Sequence, residues 1–353
     1  MSWSCGIVGL PNAGKSTLFK ALTALDVTIE NYPFSTIDPN RAIVPIPDSR
    51  LAALADLTKA EKVTPATIEV IDVAGLVKGA SRGEGLGNQF LGNLRAVDLL
   101  IHVLAGFGDV ATSEGDLSTR LETVNIELGL ADLESIARRL QKLEPQLRLG
   151  EKAAKSEALL LRRAEEHLNK GLPLRCLELT GQEKETLREL PLLTLKDMVY
   201  VFNLSESNLG LVDLTDFPQG SVVIPLCASL EAELVELPED ERETFLNAYG
   251  LTESKTLELL KECYRLLELI TFYTIKGNET RAWVVPANIR AVEAAGKIHS
   301  DMEQGFINAE VVKWIDLIDA GGITGAREKG SSRVEGRDYP VQDGEVIFVR
   351  FRN

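Results

Sequence analysis

Gly9-Leu-Pro-Asn-Ala-Gly14-Lys15-Ser16 is the stretch on which the fold turns. It is a complete G-x-x-x-x-G-K-S phosphate loop, placed directly after the apolar run Trp3–Val8 and opening the helical pattern Lys15–Leu25. Glycine at positions 9 and 14 lets the backbone curl so that successive N–H groups face phosphate oxygens. The helix N-terminus adds its positive end. Lys15 is expected to reach the β- and γ-phosphates and the Ser16 hydroxyl to ligand Mg²⁺. Asn12, Ala13, Gly14 and Thr17 complete the contacts this loop predicts.

Outward from the loop, short apolar runs bounded by turn residues recur. Ala42–Ile46, Thr67–Val73, Leu99–Leu104, Met198–Phe202 and Val222–Leu226 read as strands, with helical spacing between several of them, as at Asp48–Leu57. Strands alternating with helices predict an α/β fold, an open, mostly parallel sheet with its ligand at the strands' carboxyl ends. Asp72-Val-Ala-Gly75 closes the strand Thr67–Val73 and fits D-x-x-G, about 55 residues past the loop. Asp72 is expected to hold the metal through water, and the Gly75 N–H to sense the γ-phosphate. Asn31–Asn40, polar and broken by prolines, suits a switch loop in which Thr36 completes the metal shell only when that phosphate is present.

The far end of the pocket is expected after Met198–Phe202, at Asn203-Leu204-Ser205-Glu206. Guanine-specific proteins carry Asn-Lys-x-Asp there, the Asp accepting from guanine's N1–H and N2–H₂. Glu206 is one methylene longer, which displaces the carboxylate and weakens selection for guanine. Cys227-Ala228-Ser229, after Val222–Leu226, is placed to close the other side of the base.

Between Leu104 and Met198 no strand is evident. Leu121, Val124, Leu128, Leu133, Ile136, Leu140 and Leu143 recur at helical spacing, and further helical stretches follow at Glu151–Lys170 and Gln182–Leu190. They predict either an antiparallel helical hairpin standing off the sheet or ordinary crossover helices packed on it. Arg138–Arg175 holds ten Lys and Arg against five acids, or +5 within a chain of -15. This is either a solvated face with i,i+4 pairs or a contact surface for phosphate-rich nucleic acid. After Glu268, Phe272–Ile275, Thr280–Val285 and Val346–Phe351 read as strands and Ala291–Gln304 as helix. Ile323–Asp338 reads as a Gly- and charge-rich connection.

Composition bounds the rest. The 353 residues predict two or three domains, and 44% hydrophobic with 26% charged excludes a disordered chain. No apolar run has the ~18–20 residues a membrane span requires, and Met1–Lys15 has no leader pattern. The dispersed Cys5, Cys176, Cys227 and Cys263 are expected as reduced core thiols of a cytoplasmic protein. A net charge of -15 argues against a surface that coats nucleic acid as a whole.

Together these motifs resemble the Obg-like ATPase (YchF) family over essentially the whole chain. The matches run through Gly9–Thr17, Asn31–Thr36, Asp72–Leu76, Gly85–Phe90 and Asn203-x-x-Glu206. In the tail they include Ala295–Asp301, Gly305-Phe-Ile and Val341–Glu345. The resemblance implies a phosphate-loop NTPase (GTPase-like) nucleotide-binding domain at 1–120 and 191–267, a helical (coiled-coil-like) insertion at 121–190, and a β-grasp TGS domain at 268–352. It implies a slow ATPase that prefers ATP to GTP, with Mg²⁺ as cofactor and the ribosome (rRNA or ribosomal protein) as partner. No membrane or sequence-specific DNA partner is expected. An Obg-type GTPase and a nucleotide-gated binding module with negligible hydrolysis are the alternatives.

Three positions bear on rate. Many GTPases place a water-orienting Gln after D-x-x-G, where this chain has Leu76. The family's loop His aligns with Thr112, leaving the general base unassigned; His102 sits inside a strand. Asn12 resembles the Asn of GTPases that use K⁺ for charge neutralisation, which makes K⁺ dependence an expectation.

Overall fold

A computed structural model of the chain describes residues 3–24, 40–73, 86–107, 115–209 and 213–352. They fall into two units by their internal contacts. The first takes in 3–24, 40–42 and the described part of 69–259; the second takes in 43–68 and 260–352.

The phosphate loop owes its position to β1 (Ser4–Val8), which is buried at every residue. Its sheet runs β2 (Arg41–Pro45), β4 (Thr67–Asp72), β1, β5 (Leu99–Gly106), β6 (Met198–Leu204), β7 (Val222–Leu226) in spatial order. From β4 across to β7 the pairs are parallel. Because β1 lies between β4 and β5, the chain crosses to opposite sides of it, and the crevice at its carboxyl end is where such sheets bind ligands. Helix α1 (Lys15–Thr23) leaves that crevice and buries Leu18, Ala21 and Leu22.

The long interval after β5 is helical, and it realises both expected arrangements in turn. Helix α4 (Leu117–Arg148) is N-capped by Asp116, which accepts from Thr119 N at 2.9 Å. (Helices α2 and α3 are Ser49–Thr58 and Leu86–Ala96.) The first half of α4 packs Leu117, Leu121, Val124, Leu128 and Ala131 against Val8, Leu100 and Leu104 of the sheet. Its second half turns Ile136 and Leu143 to Leu160, Leu161, Ala164 and Leu168 of α5 (Lys152–Asn169). One unbroken helical period serves two partners, so periodicity alone does not show where the sheet ends. Helix α6 (Gly181–Arg188) follows, with a Thr180–Glu183 capping box. Buried Asp132 ties α4 to the segment that leads into β6, accepting from the amides of Leu193 and Thr194 at 2.7 Å each.

In the second unit the sheet order is β11 (Arg333–Glu335), β10 (Phe306–Lys313), β12 (Glu345–Phe351), β8 (Leu269–Lys276), β9 (Glu279–Pro286), β3 (Lys62–Thr64). Helix α10 (Ala291–Ile298; α9 is Lys255–Leu266) covers one face with Phe272, Val311 and Ile347, and α11 (Ser300–Gln304) follows it after a break at His299. Helices α2, α12 (Trp314–Asp319) and α13 (Ile323–Glu328) cover the other with Tyr273 and Val346.

Three expectations change here. Residues 43–68, assigned from sequence to the nucleotide-binding region, contribute β3 and α2 to this second unit. The pin is ionic: Arg50 donates to Asp48 at 2.9 Å and to Asp343 at 2.6 Å, while Tyr273 Oη donates to Asp48. The connection expected at Ile323–Asp338 contains α13 and β11, and β10 is a strand the pattern did not reveal. Of the cysteines, Cys5, Cys227 and Cys263 are buried but Cys176 is exposed. Among the described residues no helix is long and apolar enough to cross a membrane.

Candidate functional site

The loop between β1 and α1 has a backbone that few residues tolerate. Gly9 and Gly14 have φ of 152° and 92°, and Asn12 lies at 60°; Asn is among the few side chains that enter this region at modest cost. A Cβ on Gly14 would lie 2.0 Å from Asn203 Nδ2, so the site needs glycine for both conformation and space. Lys15 is 7% exposed, and its Nζ donates to Leu10 O at 2.8 Å, folding the ammonium back over the loop.

Asn203, at the end of β6, joins the loops that make the pocket. Its Nδ2 donates to Ala13 O at 3.0 Å, and its Oδ1 accepts from Ala228 N at 2.9 Å. Ala228 opens α7 (Ala228–Glu236). One buried carboxamide thus fixes the phosphate loop to the β6 and β7 ends, satisfying both its donor and its acceptor. Around it opens a cavity of about 870 Å³, lined among others by Gly14, Thr17, Leu204, Glu206, Ala228 and Ser229. Sequence spacing had named all six. The cavity also takes in Ser205, from the same Asn203–Glu206 stretch, and Phe107, Ser207 and Tyr249, which the spacing does not name. Phe107 was within reach of sequence reading, since it directly follows β5 at the carboxyl end where ligands bind. Tyr249 carried no local signal.

Ser16 Oγ donates to Asp72 Oδ2 at 3.0 Å, so two of the three expected metal-binding groups meet. Asp72 Oδ1 is buried and, among the described residues, has no hydrogen-bond partner. A hydroxyl and a carboxylate with a spare buried oxygen form a hard-donor set that suits Mg²⁺, which keeps most of its shell as water and phosphate. Among the described residues no group of three or more His, Cys, Asp and Glu could cage a metal alone. Thr36, Gly75, Leu76 and Thr112 lie outside the described residues. His102 is fully buried beside Tyr200, and burial, helped by the Arg175 and Lys15 cations, holds its imidazole down to about 3. It is a neutral sheet residue.

The sheet, the loop and the Ser16–Asp72 pair define a phosphate-loop nucleotide-binding protein of the GTPase-like class. Residues 4–139 match the MMR_HSR1 family, described as a 50S ribosome-binding GTPase. Residues 269–352 match the YchF GTPase C-terminal domain family, described as a protein of unknown function (DUF933). The chain is 44% identical to the ribosome-binding ATPase YchF of Haemophilus ducreyi over 99% of both chains. It is 42% identical to that of Bacillus subtilis, covering 99% of this chain and 100% of the relative. The solved YchF GTPase of Schizosaccharomyces pombe superposes with a TM-score of 0.89 at 31% identity, over 99% of this chain and 98% of that one. The chain belongs to the YchF family.

Proposed function

We propose that this protein is a ribosome-associated nucleotide switch that binds ATP with Mg²⁺ in preference to GTP and hydrolyses it slowly. The observation that carries the reading is a continuous cavity that runs from Gly14 and Thr17 to Glu206, held in register by Asn203. Its size suits a nucleotide. The Asn12–Thr17 backbone and the α1 N-terminus would cradle the phosphates, with Lys15 exchanging the Leu10 carbonyl for phosphate oxygens. Ser16 and Asp72, joined by Thr36 and the water shell, would hold the metal. When bound, Mg²⁺ neutralises charge between the β- and γ-phosphates. Leu204, Ala228 and Ser229 would border the base, and Glu206 offers a carboxylate displaced from the guanine-reading position.

Two features support slow turnover. Leu76 has no polar atom to orient water, and Thr112 has no imidazole to carry a proton at neutral pH. K⁺ beside Asn12 as an additional neutralising ion, and the Gly75 N–H as γ-phosphate sensor, complete this reading. The names of the relatives divide between ATPase and GTPase, so the base is the point to test. Competitive displacement of a fluorescent nucleotide by ATP and by GTP is expected to favour ATP; tighter GTP binding by about tenfold or more (~1.4 kcal/mol) overturns the reading. Single-turnover hydrolysis in K⁺ and then Na⁺ checks rate and ion together.

A further inference from the structure

The base end of the cavity contains a phenol that the phosphate-loop motifs do not specify. Tyr249 follows α8 (Glu239–Ala248) and lines the same cavity as Glu206, 43 residues earlier in the chain. Its Oη lies 3.5 Å from Glu206 Oε2 and is oriented to donate to it. The ring packs against Phe245 at 5.2 Å between centroids, and the backbone amide donates to the helix carbonyls of Asn247 and Leu246. Helix α8 is in turn held to the end of α7 by Arg242, which donates to Leu237 O at 3.0 Å and Val235 O at 3.2 Å. The helix whose first residues wall the pocket therefore carries, through Arg242 and α8, a phenol back to the pocket rim.

We propose that Tyr249 is a positioning residue that acts through Glu206, holding its carboxylate away from guanine and thereby setting the preference between ATP and GTP. This deepens the reading of the site as an ATP pocket and rests on it. Guanine offers N1–H and N2–H₂ side by side along one edge, and a carboxylate reads them only with both oxygens free and coplanar with the base. A phenol donating to one oxygen draws the carboxylate toward α8 and leaves one oxygen fully available. Adenine has neither donor there, only the N1 acceptor and a C2–H. Its one donor, the C6 amino group, lies where guanine has O6, so a displaced carboxylate with one free oxygen suffices. The carboxylate beside it raises the Tyr249 pKa, which keeps the phenol a neutral donor.

Equilibrium titration of the full chain with fluorescent ATP and GTP analogues tests this in four proteins: wild type, Tyr249→Phe, Glu206→Ala and the double variant. Loss of the hydroxyl is expected to shift the ATP-to-GTP affinity ratio toward GTP by about three- to tenfold, and Tyr249→Leu is expected to shift it in the same direction. In the Glu206→Ala background the shift is expected to disappear, because the phenol acts through that carboxylate. An unchanged ratio, an equal loss for both nucleotides, or a shift that persists without Glu206 overturns the proposal. The wild-type titration separately tests ATP preference: a wild type that favours GTP ends that reading, while the Tyr249 shift is still measured against it.

Discussion

The phosphate loop and the helical insertion both read as places where this chain meets phosphate, yet they rest on different physics. In the loop, spacing encodes backbone conformation: Gly14 at φ 92° and Asn203 within 3.0 Å of Ala13 O leave little freedom. In the insertion the sequence offers only a count of charges, and folding pairs four of the ten cations with acids and engages a fifth with polar groups. Arg138 pairs with Glu134 at 3.0 Å, Arg139 with Glu157 at 2.6 Å, Arg148 with Glu144 at 3.4 Å and Arg163 with Glu183 at 2.9 Å. Arg175 is turned inward to Asn125 and Tyr200. Glu134 and Glu183 lie outside the interval whose charges were counted, and Glu157 is 18 residues from its arginine. A motif survives translation from sequence to structure because it specifies geometry. A net charge does not, because its partners can come from anywhere in the chain.

The sharpest way to break the comparison is at Gly14. In Gly14→Ala the new Cβ must enter the space of Asn203 Nδ2 while the backbone stays in a left-handed conformation. Nucleotide affinity is expected to fall by on the order of 100-fold or more, roughly 3 kcal/mol, read by calorimetric titration with ATP. A variant that binds within about threefold of wild type would mean that the loop adjusts, and its claim to rigidity would go. Next in size is Asn203→Ala, which strands the Ala13 carbonyl and the Ala228 amide. Urea unfolding is expected to show a loss of about 2 kcal/mol, near the worth of two buried hydrogen bonds. Asn203→Asp should not rescue it, since a carboxylate accepts from Ala228 N but has no donor for Ala13 O. Full stability in either variant would show that other contacts hold the two loops together.

The same contrast explains what was legible from sequence. The parallel sheet, the phosphate loop, Asp72 and the pocket residues at Asn203–Glu206 and Ala228–Ser229 were readable, because each is announced by residues adjacent in the chain. The place of residues 43–68 in the second unit was not, although their helix was. The three-residue β3 pairs with β9 across more than two hundred positions, and the ionic pin at Arg50 involves Asp343, 293 residues away. Strand β10 hid for another reason: buried Glu310, which Arg327 neutralises at 2.6 Å, interrupts the apolar run. Tyr249 reaches the pocket only through helix packing that no local pattern records.

The smallest effects should come from the insertion, and there the pairing pattern separates two kinds of cation. Lys142, Lys152, Lys155, Arg162 and Lys170 are exposed and, among the described residues, have no ion-pair partner. The first three flank the turn between α4 and α5, where Leu149 is 79% exposed. Arg138 and Arg139, the more obvious choices from sequence, are already engaged. Reversing Arg139 would break a strut between the two helices, and because the pair is partly exposed the cost should be only about 1 kcal/mol. Reversing Lys142, Lys152 and Lys155 together should change stability by less than about 0.5 kcal/mol. If the hairpin end meets ribosomal RNA, that triple variant should lose co-sedimentation with ribosomes as salt rises, its log–log slope smaller by about 0.9 for each phosphate contact removed. Arg139→Glu should show the reverse: a lower unfolding midpoint with the salt slope intact. Were the triple variant to bind ribosomes with the wild-type slope, these lysines would be a solvated face, and the loop would be the only one of the two regions that handles phosphate.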